Sequence, residues 1–158
     1  MNALIPDHSP LFRHPLVLFD GMCNLCDRTV NFIIKRDRAE IFRFVPLQSP
    51  LGIALLVQFG FPADYRESFV LIDEGQAIVK SAAFMRISQK LPQPWPLCAL
   101  AVVIPCSLRD FIYTRIGRNR YRWFGQHDYC EVRTDDCGHR FVTEIPCIEP
   151  ERSGFLKK

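Results

Sequence analysis

Leu16-Val17-Leu18-Phe19-Asp20-Gly21-Met22-Cys23-Asn24-Leu25-Cys26 compresses a strand, a tight turn and the opening of a helix into one short segment. The run Leu16-Val17-Leu18-Phe19 has no charge and is closed by the turn pair Asp20-Gly21, which predicts a strand buried on both faces. Over 23–36 the apolar groups at Met22, Cys26, Val30, Ile33 and Ile34 recur at helical spacing, leaving Asp27, Arg28, Lys35 and Arg36 for solvent. A C-x-x-C pair therefore sits directly after a strand and at the start of a helix.

That placement has chemical consequences. In the first helical turn, unpaired backbone N–H groups and the positive end of the helix dipole favour a thiolate, the reactive form of cysteine. Cys23 is expected to be the nucleophile, and Cys26, one turn deeper on the stripe of Val30 and Ile33, the less exposed resolving thiol. In this scheme Cys23 attacks a substrate disulfide, and Cys26 then displaces the reduced product. Asp20 is a candidate for moving the Cys26 proton if burial raises its carboxyl pKa; the alternative is simple Asp-Gly turn chemistry. The same two thiols could instead form half of a structural zinc site, for which Cys130, Cys137, His139 and Cys147 offer further ligands at irregular spacing. They could also be an inert buried pair. Redox chemistry is the favoured reading because of where the motif sits, and it requires no bound cofactor and no metal.

Working outward, 41–45 alternates around Arg43 and predicts a second strand. Ser49 and Pro50 mark an N-cap and first helical residue, Leu51, Ala54, Leu55 and Phe59 an apolar face, and Gly60 a C-cap. The segments 69–72 and 77–80, separated by Asp73-Glu74-Gly75-Gln76, predict a hairpin, and Ser81 caps a helix toward Leu91. The order βαβαββα specifies an α/β fold, a thioredoxin-like mixed sheet flanked by helices. A helical C-terminal extension follows: a short apolar helix over 97–104 stopped by Pro105, then a helix capped by Ser107 that runs through about Gly117 and continues to Phe124. Residues 1–15 read as a loose lead-in, 16–130 as the domain, and 131–158 as an irregular, solvated tail.

Composition sets the limits. A chain of 158 residues with 48% hydrophobic and 23% charged residues belongs with single globular domains, not with disordered or fibrous chains. It contains no apolar run of the roughly 18 residues that a membrane span requires, and its N-terminus lacks the pattern of an export signal. Together with seven cysteines, an odd number, this points to a cytoplasmic protein whose thiols are mostly reduced. Cys98 and Cys106, on an apolar segment, read as small buried hydrophobes without a role.

The segments LVLFDGMCNLCDRTVNFIIKRD, IFRFVPLQS, SFVLIDEG, KSAAFMRISQKLPQPW and RDFIYTRIGRNRYRWFG resemble, in order, the DCC family of thiol-disulfide oxidoreductases, named for one Asp and two Cys. These correspond to Asp20, Cys23 and Cys26, and the resemblance extends over about 16–130. It implies a thioredoxin-like fold and a dithiol redox role. Thioredoxins place a cis-proline just before the third strand, where it helps hold substrate; here Glu67-Ser68 precede Phe69, and Pro62 is the nearest proline. Substrate docking is therefore expected to differ, with the protein serving a small thiol or disulfide or one dedicated protein partner, and the reducing partner is left open.

Charge divides unevenly. Residues 1–79 carry seven basic and nine acidic side chains, whereas 80–158 carry thirteen and eight. Arg109, Arg115, Arg118, Arg120 and Arg122, interleaved with Tyr113, Tyr121 and Trp123, could suggest nucleic acid. The modest net charge of +3 and the absence of a binding motif argue against it. The rival class to an enzyme is a zinc-binding or interaction module that uses the same cysteines structurally.

Overall fold

A computed structural model describes residues 5–6, 9–96, 103–126 and 138–144. Its elements are β1 (Leu16–Phe19), α1 (Asn24–Arg36), β2 (Arg43–Pro46), α2 (Pro50–Gln58), β3 (Val70–Asp73), β4 (Gln76–Val79), α3 (Lys80–Lys90) and α4 (Cys106–Phe124). The sheet order is β2-β1-β3-β4, with β1 parallel to β2, and β3 antiparallel to both β1 and β4. This is the mixed sheet of a thioredoxin-like α/β fold.

The period-2 alternation of the central strand divides the core in two. Leu16 and Leu18 face α2, where they meet Leu51, Leu55 and Leu56 together with Val45, Val70 and Ile72. Val17 and Phe19 face the other way, onto Val30 and Ile33 of α1 and Ala83 and Ile87 of α3. Register keeps the faces consistent: Val17 pairs with Phe44 and Leu71, and Leu18 with Val45 and Val70. All four residues of β1 are buried, as a strand covered on both faces requires. α4 lies outside this sandwich, packed against α1 and α3.

Several boundaries differ from the sequence reading for identifiable reasons. Cys23 is the N-cap of α1, not part of its first turn. The second strand starts at Arg43 because the Asp37 carboxylate takes the N–H groups of Ile41 and Phe42. The hairpin turn is only two residues long; Glu74 and Gly75 both have positive φ, the geometry that suits the twist of antiparallel strands. α3 starts one residue before Ser81, whose hydroxyl bonds Asp110 of α4 instead of capping its own helix. Pro105, not Ser107, is the N-cap of α4, which runs without interruption to Phe124. Cys106 is exposed at its start, correcting the expectation that it is buried.

Within 1–15, Ile5 is 1% exposed in the α2-side core, and Pro10–Arg13 forms a 3-10 turn. Residues 138–144 lie along the β2 edge, where Phe141 bridges Phe44 and Val142 N–H donates to the Phe44 carbonyl. Arg140 is buried there on the Asp37 carboxylate, so this part of the segment read as a solvated tail is packed instead. Residues 97–102, with Cys98, and Cys130, Cys137 and Cys147 lie outside the described residues. No helix among the described residues is long and apolar enough to cross a membrane.

Candidate active site

The sequence-predicted residues converge at the carboxyl end of β1. Asp20 directly follows β1, Gly21-Met22 form the turn, and Cys23 N–H donates to the Asp20 carbonyl at 3.3 Å, bringing the first cysteine back to the head of α1. Both Cys23 and Cys26 are free thiols. Cys23 makes no capping hydrogen bond through its sulfur. Even so, the Cys26 thiol and the N–H groups of Cys26 and Leu25 favour its thiolate. Against the opposing effect of burial they lower its pKa to about 6, with the positive charge of Arg120 adding to them. Cys26 is driven the opposite way, well above the ordinary thiol range, by its hydrogen bond to Cys23, by burial and by the neighbouring thiolate charge.

Exposure reverses one expectation. Cys23 is 0% exposed and Cys26 is 6% exposed, so the first cysteine is the more completely covered. The cover is the end of α4. Gln126 bridges Cys23 in antiparallel fashion, and Asn24 Nδ2 donates to the Phe124 carbonyl at 2.8 Å. Gly125, with φ +77°, makes the bend between them, in a conformation that L side chains rarely adopt.

Asp20 is 3% exposed and fully engaged. One carboxylate oxygen accepts from Gln48 Nε2 at 2.7 Å and from Met22 N–H at 3.1 Å. The other accepts from Arg120 at 2.9 Å and from the Tyr121 hydroxyl. Burial alone would raise this carboxyl, but the bonds from Tyr121, Met22 and Gln48 and the charge of Arg120 outweigh it and hold the pKa below its ordinary value. The condition set for proton transfer, a raised carboxyl pKa, is therefore not met.

Arg120, Tyr121 and Gln48 are the site residues that sequence reasoning missed. In the sequence Arg120 is one of five arginines in a basic, aromatic-interleaved cluster, yet in the fold it is 6% exposed. It also donates to the carbonyls of Arg66 and Glu67, fastening the loop before β3 where thioredoxins place their cis-proline. Its Nε is buried without a hydrogen-bond partner among the described residues. The only signal for this role was that Arg120 and Tyr121 fall inside a family-like segment. No group of three or more His, Cys, Asp or Glu able to hold a metal occurs among the described residues; His139 pairs with Glu40 at 2.8 Å.

A family model, DCC1-like thiol-disulfide oxidoreductase, matches residues 17–126, the span from the second residue of β1 through α4, with every residue of the Asp20 cluster. The chain belongs to this DCC family. It is 42% identical over 127 residues to the uncharacterized protein YuxK of Bacillus subtilis (strain 168), covering 80% of this chain and 93% of that protein. It is 38% identical over 121 residues to a chloroplastic DCC family protein of Arabidopsis thaliana, covering 76% of this chain and 70% of that one. No solved structure matches the chain.

Proposed function

We propose that this DCC family member performs thiol-disulfide exchange, with Cys23 as nucleophile and Cys26 as resolving thiol. The observation that carries the reading is the placement of two free, buried thiols one helical turn apart at the head of α1, Cys23 as its N-cap and Cys26 behind it, in surroundings that lower the pKa of the first and raise that of the second. The Cys23 thiolate attacks one sulfur of a substrate disulfide; that S–S bond breaks, a mixed disulfide forms, and the first substrate thiolate departs. Capping Cys23 removes the negative charge that had kept Cys26 protonated, so Cys26 ionises more easily at the moment it is needed. Its attack on Cys23 releases the second substrate thiolate and leaves a Cys23–Cys26 disulfide. Two electrons have passed to the substrate.

Asp20 acts in this reading as a positioning residue. It is an ionised anchor that holds Arg120 and Tyr121 beside the thiols, and proton transfer is not assigned to it. The substrates are thiols and disulfides of protein or small-molecule origin. The test is a Cys26→Ser variant recovered from cell extract. Mass spectrometry is expected to find a substrate joined through a disulfide to Cys23, and recovery of only free Cys23 contradicts the exchange cycle.

A further inference from the structure

A cavity of about 160 Å³ opens between α1, α3 and α4, walled by Ile33, Phe84, Ile87 and Ile116 and also lined by Cys26 and Arg120. Cys26 belongs to its lining and Cys23 does not. An apolar cavity of this size accommodates a group about as large as benzene. We propose, building on the exchange reading above, that in the oxidised protein this cavity takes an apolar organic thiol that attacks the Cys26 sulfur, so that reducing equivalents reach the disulfide through Cys26 and not through the covered Cys23.

Three independent features of the site support the assignment. Access is the first: the α4 end closes over Cys23 through Gln126 and Asn24, while Cys26 faces the cavity. Charge is the second. A thiolate entering apolar surroundings requires a nearby cation, and two line the wall: Lys80, and the guanidinium of Arg120, which also pairs with Asp20 and whose Nε is unpartnered among the described residues. Leaving-group chemistry is the third: attack on Cys26 expels the sulfur of Cys23, which the first-turn amides stabilise as a thiolate, and the more acidic thiol leaves faster. The steps balance. The incoming thiolate forms a bond to Cys26 as the Cys23–Cys26 bond breaks, and Cys23 keeps the electron pair. A second thiolate then attacks the substrate-derived sulfur, Cys26 departs and takes a proton from water, and the two thiols leave joined as a disulfide. The protein is reduced by two electrons and the thiols are oxidised by two.

The test uses the full oxidised chain and two probes of similar thiol acidity, benzyl mercaptan and 2-mercaptoethanol, with rapid acid quenching and mapping of the adduct by mass spectrometry. Benzyl mercaptan is expected to reduce the protein about tenfold faster or more, a ratio that burial of a hydrocarbon group supports. Its transient adduct is expected on Cys26. Thr29→Leu, which adds bulk to the cavity wall, is expected to lower the ratio of the two rates. An adduct on Cys23, equal rates for the two probes, or a ratio that Thr29→Leu leaves unchanged overturns the inference while leaving exchange itself intact. Failure of either thiol to open a Cys23–Cys26 bond overturns both.

Discussion

Arg120 of α4 donates to Asp20 Oδ2 at the end of β1 at 2.9 Å, joining residues 100 positions apart in a pair whose side chains are 7% and 3% exposed. The bond ties the helical extension to the strand that presents the thiols. A segment that could be taken for an appendage is thereby part of the site.

Removing one member of a buried pair leaves the other charged and unsolvated. Arg120→Met is therefore expected to cost about 3–5 kcal/mol in urea unfolding and to raise the Cys23 pKa by removing a nearby positive charge. Adding Asp20→Asn to that variant is expected to restore part of the stability, because the stranded charge is gone.

Asp20 also sets a dependence on acid. Its folded pKa lies below its ordinary value of 3.8, so its stabilisation is fully present above that value and is lost as pH falls through the lower folded one. Stability measured by denaturant titration is expected to decline steeply in that acid window, and Asp20→Asn is expected to flatten the decline.

The α4 end limits access to Cys23. Asn24→Ala deletes the bond to the Phe124 carbonyl, a contribution of about 0.5–1.5 kcal/mol. Its expected effect is a several-fold faster alkylation of Cys23 at high pH, with the titration midpoint unmoved. A rate equal to that of the parent chain refutes the cover.

α2 lies close against the end of β2 at Gly52. A Cβ there collides with the Pro46 carbonyl oxygen and presses on the Leu47 backbone at 3.0 Å. Neither neighbour is a flexible side chain, so Gly52→Ala is expected to destabilise the protein by about 1–3 kcal/mol, measured as a lower urea midpoint with the slope unchanged.

Local patterns made most of the fold legible. An uncharged four-residue run, a 3.6-residue apolar stripe and a Ser-Pro helix start each act over a few residues, and β1, α1 and α2 follow from them. The C-x-x-C at a strand-to-helix junction placed the two thiols in the same way. Long-range partnerships were not legible: nothing local distinguishes Arg120 from Arg118 or Arg122, because only the packing of α4 over β1 makes one of them a partner of Asp20. The same blind spot reversed the expected exposure of Cys23 and Cys26, since the cover comes from Phe124, Gly125 and Gln126. Arg140 repeats the pattern at the β2 edge, where its fully buried pairing with Asp37 has no signature in either segment.

The central claim is that one thiol at the head of α1 is held as a thiolate by its neighbour and the other is held protonated. Alkylation of the reduced protein, followed separately for each cysteine by mass spectrometry across the acid-to-alkaline range, measures this directly. Cys23 is expected to gain reactivity with a midpoint at about pH 6 while Cys26 stays unreactive well beyond it. Two thiols titrating together near the ordinary value of 9.0, or Cys26 reacting first, contradict the account.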